Sequence, residues 1–250
     1  MSTSFDRRNW LATKSSLPAD RVRFLSEADA SVIDSIQNGI LFLMAYWSGT
    51  SVLAFSKLAE VVSALLPEEF EFVVADVDGS SALCVVPEFL GKVHGYGETA
   101  WIHQGKIIAT SGLGLNFECF QPNTSILLTL ARCAREGNNA STAEIAANFS
   151  WLRPWEKLKL SSGSDLDFAR EVLAAYGPSD WKFTAVARRR DRDDFLFEID
   201  NSELVAVVRL NSGRLENGSH REELTLFKHW QSWVDRCLLP DHREFRNMPV

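Results

Sequence analysis

Residues 39–52 read Gly39-Ile40-Leu41-Phe42-Leu43-Met44-Ala45-Tyr46-Trp47-Ser48-Gly49-Thr50-Ser51-Val52. The run from Ile40 to Ala45 is wholly apolar, as in a strand buried on both faces of a sheet. Tyr46 to Ser51 is a short loop. From Val52 the period changes. Val52, Phe55, Leu58, Ala59, Val62 and Leu66 fall on one side of a helix that Pro67 stops. Phe70 to Gly79 reads as a second strand running into a turn. A helix joins the two strands, so they are expected to run parallel. Upstream, residues 1–18 are polar and expected to be poorly ordered. Ala19 to Gln37 places Val22, Leu25, Val32, Ile33 and Ile36 at helical spacing, with Asn38-Gly39 as the stop. Downstream, Leu83 to Val93 reads as a short helical stretch. Glu98 to His103 and Lys106 to Thr110 read as two strands joined by the tight turn Gln104-Gly105. Pro122 to Ala134 is a closing helix with Gly137 just past its end.

This order of helices and strands resembles that of the thioredoxin-like superfamily over about residues 20–135. Trp47-Ser48-Gly49-Thr50-Ser51 resembles the family's active-site loop, with Ser48 and Ser51 where its two cysteines stand. Val73 to Asp78 resembles the family's second parallel strand. Gly95 to Thr99 resembles its cis-proline segment, with Glu98 in place of the proline. Trp101 to Lys106 resembles its hydrophobic hairpin. The resemblance implies a central mixed sheet flanked by helices. It also implies that dithiol chemistry is lost, because exchange requires a thiolate and a resolving thiol.

Composition shifts after Arg135. Residues 136–164 are read as a linker, with a short helix at Thr142–Asn148, aromatic anchors Trp151 and Trp155, and a flexible Ser161-Ser162-Gly163-Ser164. Residues 165–250 are read as a smaller α+β domain: a helix Asp165–Tyr176 with Ser164 as N-cap, then an antiparallel meander of Trp181–Arg189, Phe195–Ile199 and Leu204–Leu210. A closing helix, Leu224–Cys237, is expected to cover the meander with Leu226, Phe227, Trp230, Trp233 and Val234. This half has the build of small bacterial α+β proteins, toxin-immunity modules among them.

The chain has 250 residues, room for two domains, and is 46% hydrophobic and 24% charged, values ordinary for a soluble globular protein. Its net charge of −7 argues against a general nucleic-acid binder. Arg188-Arg189-Arg190 is answered by Asp191, Asp193 and Asp194 and reads as a solvated turn. No apolar run approaches the ~20 residues of a membrane span, and no leader pattern opens the chain. Cys84, Cys119, Cys133 and Cys237 are far apart and form no C-x-x-C pair or metal-ligand spacing. Reduced thiols, a cytoplasmic setting and no cofactor or metal are expected.

Four features could carry function. The first is a binding surface of Trp47, Ser48, Gly49, Thr50, Ser51, Glu98 and Thr99. Ser48 reads as a helix cap, or as a nucleophile if His94 supplied a base. The second is the pair Asp76 and Asp78, with Glu98, at a spacing that points two carboxylates one way; turn capping and cation binding are the two readings. The third is Cys84 as a displaced thiol, although nearby acids would raise its pKa. The fourth is Trp47 as an exposed aromatic anchor. The resulting expectation is a redox-inactive thioredoxin-like module that binds a protein partner, and neither nucleic acid nor membrane. One alternative is a thioredoxin-fold enzyme, a thiol transferase or peroxidase-like, using Cys84 or Ser48. The other is an immunity-type protein that recognises its partner through the C-terminal domain.

Overall fold

The computed structural model describes the chain apart from residues 1–5, 16, 113, 138–141, 159–163, 177–180, 201, 212–220 and 249–250. Two compact units divide it, Met1–Asn138 and Asn139–Val250.

In the first unit, helix α1 (Arg7–Ala12) is followed by strand β1 (Arg23–Leu25), helix α2 (Ser31–Ser35), β2 (Asn38–Met44), α3 (Gly49–Leu65), β3 (Glu71–Asp76), the hairpin β4 (Thr99–His103) and β5 (Lys106–Thr110), and α4 (Phe120–Arg135). The sheet order is β1-β3-β2-β4-β5. β1, β3 and β2 run parallel, while β4 and β5 are antiparallel. This is the mixed, helix-flanked sheet that the thioredoxin-like resemblance implies. Its alternation explains the unbroken apolar run of β2. Leu41 and Leu43 join Val73, Ala75, Ala100 and Ile102 on the face that packs with Ile33, Ile36, Leu83 and Phe89. Phe42 points the other way, where its ring meets Phe55 of α3 at 5.7 Å, and Phe55 stacks on Phe72 at 5.9 Å. On that same side Trp101 lies 6.0 Å from Phe120 and donates its indole N–H to Thr124 Oγ1 at 3.0 Å. Gln104 and Gly105 both take positive φ, 50° and 72°, as a two-residue hairpin turn requires.

Three expectations are corrected here. Ala19–Gln37 is not one helix. A 3-10 turn at Ala19–Arg21 leads into β1, and only Ser31–Ser35 is helical. Residues 23–25 pair with Val73–Ala75, so satisfying the open edge of β3 overrides a weak helical periodicity. Leu83–Val93 contains only a 3-10 turn, Ser81–Val85, before irregular backbone around Pro87. The polar N-terminal stretch is ordered at α1, where Leu11 is 1% exposed and Leu17 is also buried.

The second unit contains α5 (Thr142–Asn148), β6 (Trp155–Lys157), α6 (Ser164–Tyr176), β7 (Phe183–Arg189), β8 (Asp193–Ile199), β9 (Val205–Asn211), β10 (Arg221–Phe227), α7 (Trp230–Trp233), a π-helical turn Val234–Leu238 and α8 (Leu239–Arg246). α5 and β6 thus occupy the interval read as a linker, and β6 pairs with β7. The meander has five antiparallel strands, order β10-β9-β8-β7-β6, rather than three. The stretch Leu224–Phe227 belongs to a strand, not to the closing helix, with Leu224 opposite Val208 in the β9 ladder. Leu166, Ala169, Val172 and Leu173 of α6 pack on Phe195, Phe197, Ala206 and Val208. Phe149, Trp151, Trp155, Trp230 and Trp233 form an aromatic cluster, with ring separations from 5.0 to 5.9 Å. α6 begins at Ser164, and Ser161–Gly163 lie outside the described residues. Among the described residues no helix is long and apolar enough to cross a membrane.

Candidate functional site: the loop between β2 and α3

Ser48 is the N-cap of α3, with extended backbone, and its Oγ accepts the Ser51 N–H at 3.3 Å. Ser51 is fully buried. Its Oγ accepts the Ala45 N–H at 3.0 Å and donates toward Met44 Sδ at 3.5 Å. Both hydroxyls therefore serve the strand-to-helix junction. Neither has a histidine hydrogen-bonded to it among the described residues. His103 Nδ1 lies 2.6 Å from Asn38 Oδ1, at the far end of β2, and burial lowers its pKa. His94 packs its ring 6.1 Å from Tyr96.

The exposed part of the junction is aromatic. Trp47 is 66% exposed, yet its indole N–H donates to Asp78 Oδ1 at 3.2 Å. The far edge of that indole lies so close to Gly95 (φ 77°) that a Cβ there would collide with it. Tyr96 is exposed beside it and is backed by Gly114, where any Cβ would meet Tyr96 at 2.8–2.9 Å. Leu53, one turn into α3, and Leu115 are exposed as well. Gly49 is open, with nothing near its would-be side chain.

Glu98 and Thr99, expected on this surface, lie wholly beneath it. Glu98 Oε1 accepts the N–H groups of His94 (2.8 Å) and Tyr96 (3.1 Å), and its main-chain oxygen accepts the Leu43 N–H at 2.8 Å. Its second carboxylate oxygen is buried without a hydrogen-bond partner. Thr99 donates its hydroxyl to the Gly97 carbonyl at 3.1 Å and its N–H to Ser111 Oγ at 2.9 Å. Glu98 and Thr99 thus hold the 94–98 loop from inside, while Ser51 holds the β2–α3 junction.

The acids at the end of β3 do not converge on a cation. Asp78 faces Trp47, whereas Asp76 is buried, accepts the Asp78 N–H at 3.2 Å and is ion-paired with Arg7. Among the described residues no group of three or more His, Cys, Asp or Glu could hold a metal ion. Cys84 is half-buried, and burial together with the Glu98 charge raises its pKa, which depletes the thiolate. Cys119, Cys133 and Cys237 are buried free thiols.

Two clusters were not read from the sequence. One is Arg7–Tyr46–Asp76, brought together by α1. The other lies in the second unit. Arg189 is not solvated, as the charge run suggested, but buried. It donates to Asp191 at 2.8 and 3.1 Å and to Asp241 at 2.6 Å. Trp155 Nε1 donates to the same Asp241 at 2.7 Å, and Cys237 Sγ reaches it at 3.4 Å. Arg188, on the opposite face of β7, and Arg190, just past the strand's end, share the half-buried Glu156 at 3.0 and 2.6 Å. The alternation of a strand was the signal available in the run of three arginines.

No protein-family model matches the chain, and no curated protein does. Solved structures do. One similar chain comes from a structure concerned with the thiol resolving mechanism in yeast mitochondrial 1-Cys peroxiredoxin via glutathione/thioredoxin systems. It is 19% identical, over 42% of this chain and 95% of that one, with a TM-score of 0.35. Another is the reduced form of desulfothioredoxin from Desulfovibrio vulgaris Hildenborough, 15% identical over 39% of this chain and 89% of that one, with a TM-score of 0.30. The sheet order β1-β3-β2-β4-β5, the β2–α3 junction and the β4–β5 hairpin make the fold of the first unit thioredoxin-like.

Proposed function

We propose that the first unit is a redox-inactive thioredoxin-like module that binds a protein partner through Trp47, Tyr96 and Leu53, with Gly49 and Thr50 at the rim. The observation that carries this reading is the division of labour at the β2–α3 junction. Both serine hydroxyls are turned into the backbone, while Trp47 is held outward between Asp78 and Gly95. An exposed but fixed aromatic ring gives up little conformational freedom on binding, as befits an interface anchor. The net charge of −7 favours a protein over a nucleic acid as partner. The free thiols suit a reducing compartment, and we place the protein in the cytoplasm.

Two measurements test the reading. Reduction of insulin with dithiothreitol is expected to stay at background, and turnover that vanishes in Cys84→Ser would replace the binding role with a thiol enzyme. A photo-crosslinker at position 96 is expected to trap a discrete partner in cells, and Trp47→Ala is expected to abolish the product. A product unchanged by Trp47→Ala would remove Trp47 from the interface.

A further inference from the structure

α1 is six residues long and too short to hold helical order alone. Its order comes from what it touches. Arg7, Trp10 and Leu11 stand at i, i+3 and i+4 and so share one face. Arg7 is ion-paired with buried Asp76, and its guanidinium lies 5.1 Å from the centre of the Tyr46 ring. Trp10 packs on the same ring at 5.3 Å, and Phe24 meets Tyr46 edge-on at 6.3 Å. Leu11 is buried. Beyond the helix, the Lys14 carbonyl accepts the hydroxyl of Ser56 at 2.7 Å. This is an amphipathic helix lying in a groove, with a cation, an indole and a leucine as its three anchors.

The charge balance defines what the groove accepts. Asp76 is 1% exposed, and Arg7 is its ion-pair partner among the described residues. With α1 away the Asp76 carboxylate is rehydrated, so a ligand that covers it again must bring a guanidinium or ammonium group of its own. Tyr46 adds a ring face that favours the flat guanidinium.

We infer that the groove of Asp76, Tyr46 and Phe24 is a helix-docking site that α1 fills in cis, and that its ligand in trans is an amphipathic helix of a partner protein presenting arginine, an aromatic ring and leucine at i, i+3 and i+4. The site does not depend on the Trp47 surface. It adjoins it through the two-residue step from Asp76 to Asp78, so a helix that displaces α1 arrives beside Trp47.

The test uses the full chain with Arg7→Ala, Trp10→Ala and Leu11→Ala combined, and a fluorescein-labelled peptide of residues 6–15 as probe. Anisotropy is expected to show the peptide binding this variant at least about tenfold tighter than the wild type, whose groove is filled. Adding Asp76→Asn, or using a peptide with Arg7→Ala, is expected to weaken binding by about tenfold or more. Equal affinity for variant and wild type, or no binding to a variant whose β2 amides remain protected, overturns the proposal. A wild-type dimer that the triple variant dissolves also overturns it, because the trans occupant is then a second copy. Hydrogen exchange on the unmodified protein decides the matter if the variant does not fold. Amides of residues 10–13 are expected to exchange through an opening that leaves β2 and β3 protected. Exchange of those amides only together with β2 and β3 would show that α1 is a fixed part of the core.

Discussion

Replacing Gly97 by alanine is the sharpest probe of how the site loop is held. Gly97 takes φ 86°, a conformation that costs a residue with a side chain about 1–2 kcal/mol. A methyl group there would lie 2.6 Å from the Ala54 Cβ and 2.7 Å from the Phe42 ring. Both neighbours are fully buried, one in α3 and one in β2, so neither can swing away. Overpacking of this kind costs about 1–3 kcal/mol. The combined loss expected for Gly97→Ala is roughly 2–5 kcal/mol. Because the chain has two units, the loss is best read from the urea dependence of β2 amide protection, which reports the first unit alone. A loss below about 1 kcal/mol would refute the claim that the 94–98 loop presses on the junction of β2 and α3.

Other expectations follow from the same geometry. In the native protein 5,5′-dithiobis(2-nitrobenzoate) should titrate Cys84 alone, slowly for a partly exposed thiol because its pKa is raised, and all four cysteines after unfolding; rapid native reaction of Cys237 would contradict the packing around Asp241. Trp155→Phe keeps the ring but removes the donor to Asp241, and should destabilise the second unit by about 1–3 kcal/mol in thermal unfolding; an unchanged midpoint would show that the bond contributes nothing. The bonds from Arg189 hold the Asp191 carboxyl below its ordinary pKa despite some desolvation. Its folded pKa is depressed, so this stabilisation is present above the ordinary carboxylate pKa and disappears as pH falls through the lowered one. Asp191→Asn should therefore lower the unfolding midpoint of the second unit at neutral pH and flatten part of its decline in acid; a parallel decline in wild type and variant would rule out that contribution.

What the sequence made legible was whatever rests on local periodicity. β2, α3, β3, the β4–β5 hairpin and α4 follow from apolar spacing and from Pro and Gly stops. The losses came where a distant partner decides. Arg23–Leu25 is a strand only because β3 offers an open edge. Leu224, Leu226 and Phe227 fit a helix face extending to Trp230, but the ladder to β9 makes them a strand. The site shows the same division. Trp47 and Ser48 could be read because a junction between a buried strand and a helix has a cap and an exposed turn. Glu98 could not, since its acceptors' duties are set by the backbone N–H groups of His94 and Tyr96 in a folded loop. Arg7 carries no local mark either, for its carboxylate lies 69 positions away, on Asp76.

The loop beside Trp47 also bears on how this surface can change over generations. Gly95 is confined by the Trp47 indole and Gly97 by Ala54 and Phe42, while Glu98 is committed to the loop's own amides. Tyr96, between two glycines, is exposed and lends the loop its backbone N–H, which any residue but proline supplies. Drift or selection can rewrite that one position while the scaffold stays intact. Related chains that retain both flanking glycines should therefore differ in partner choice mainly at residue 96.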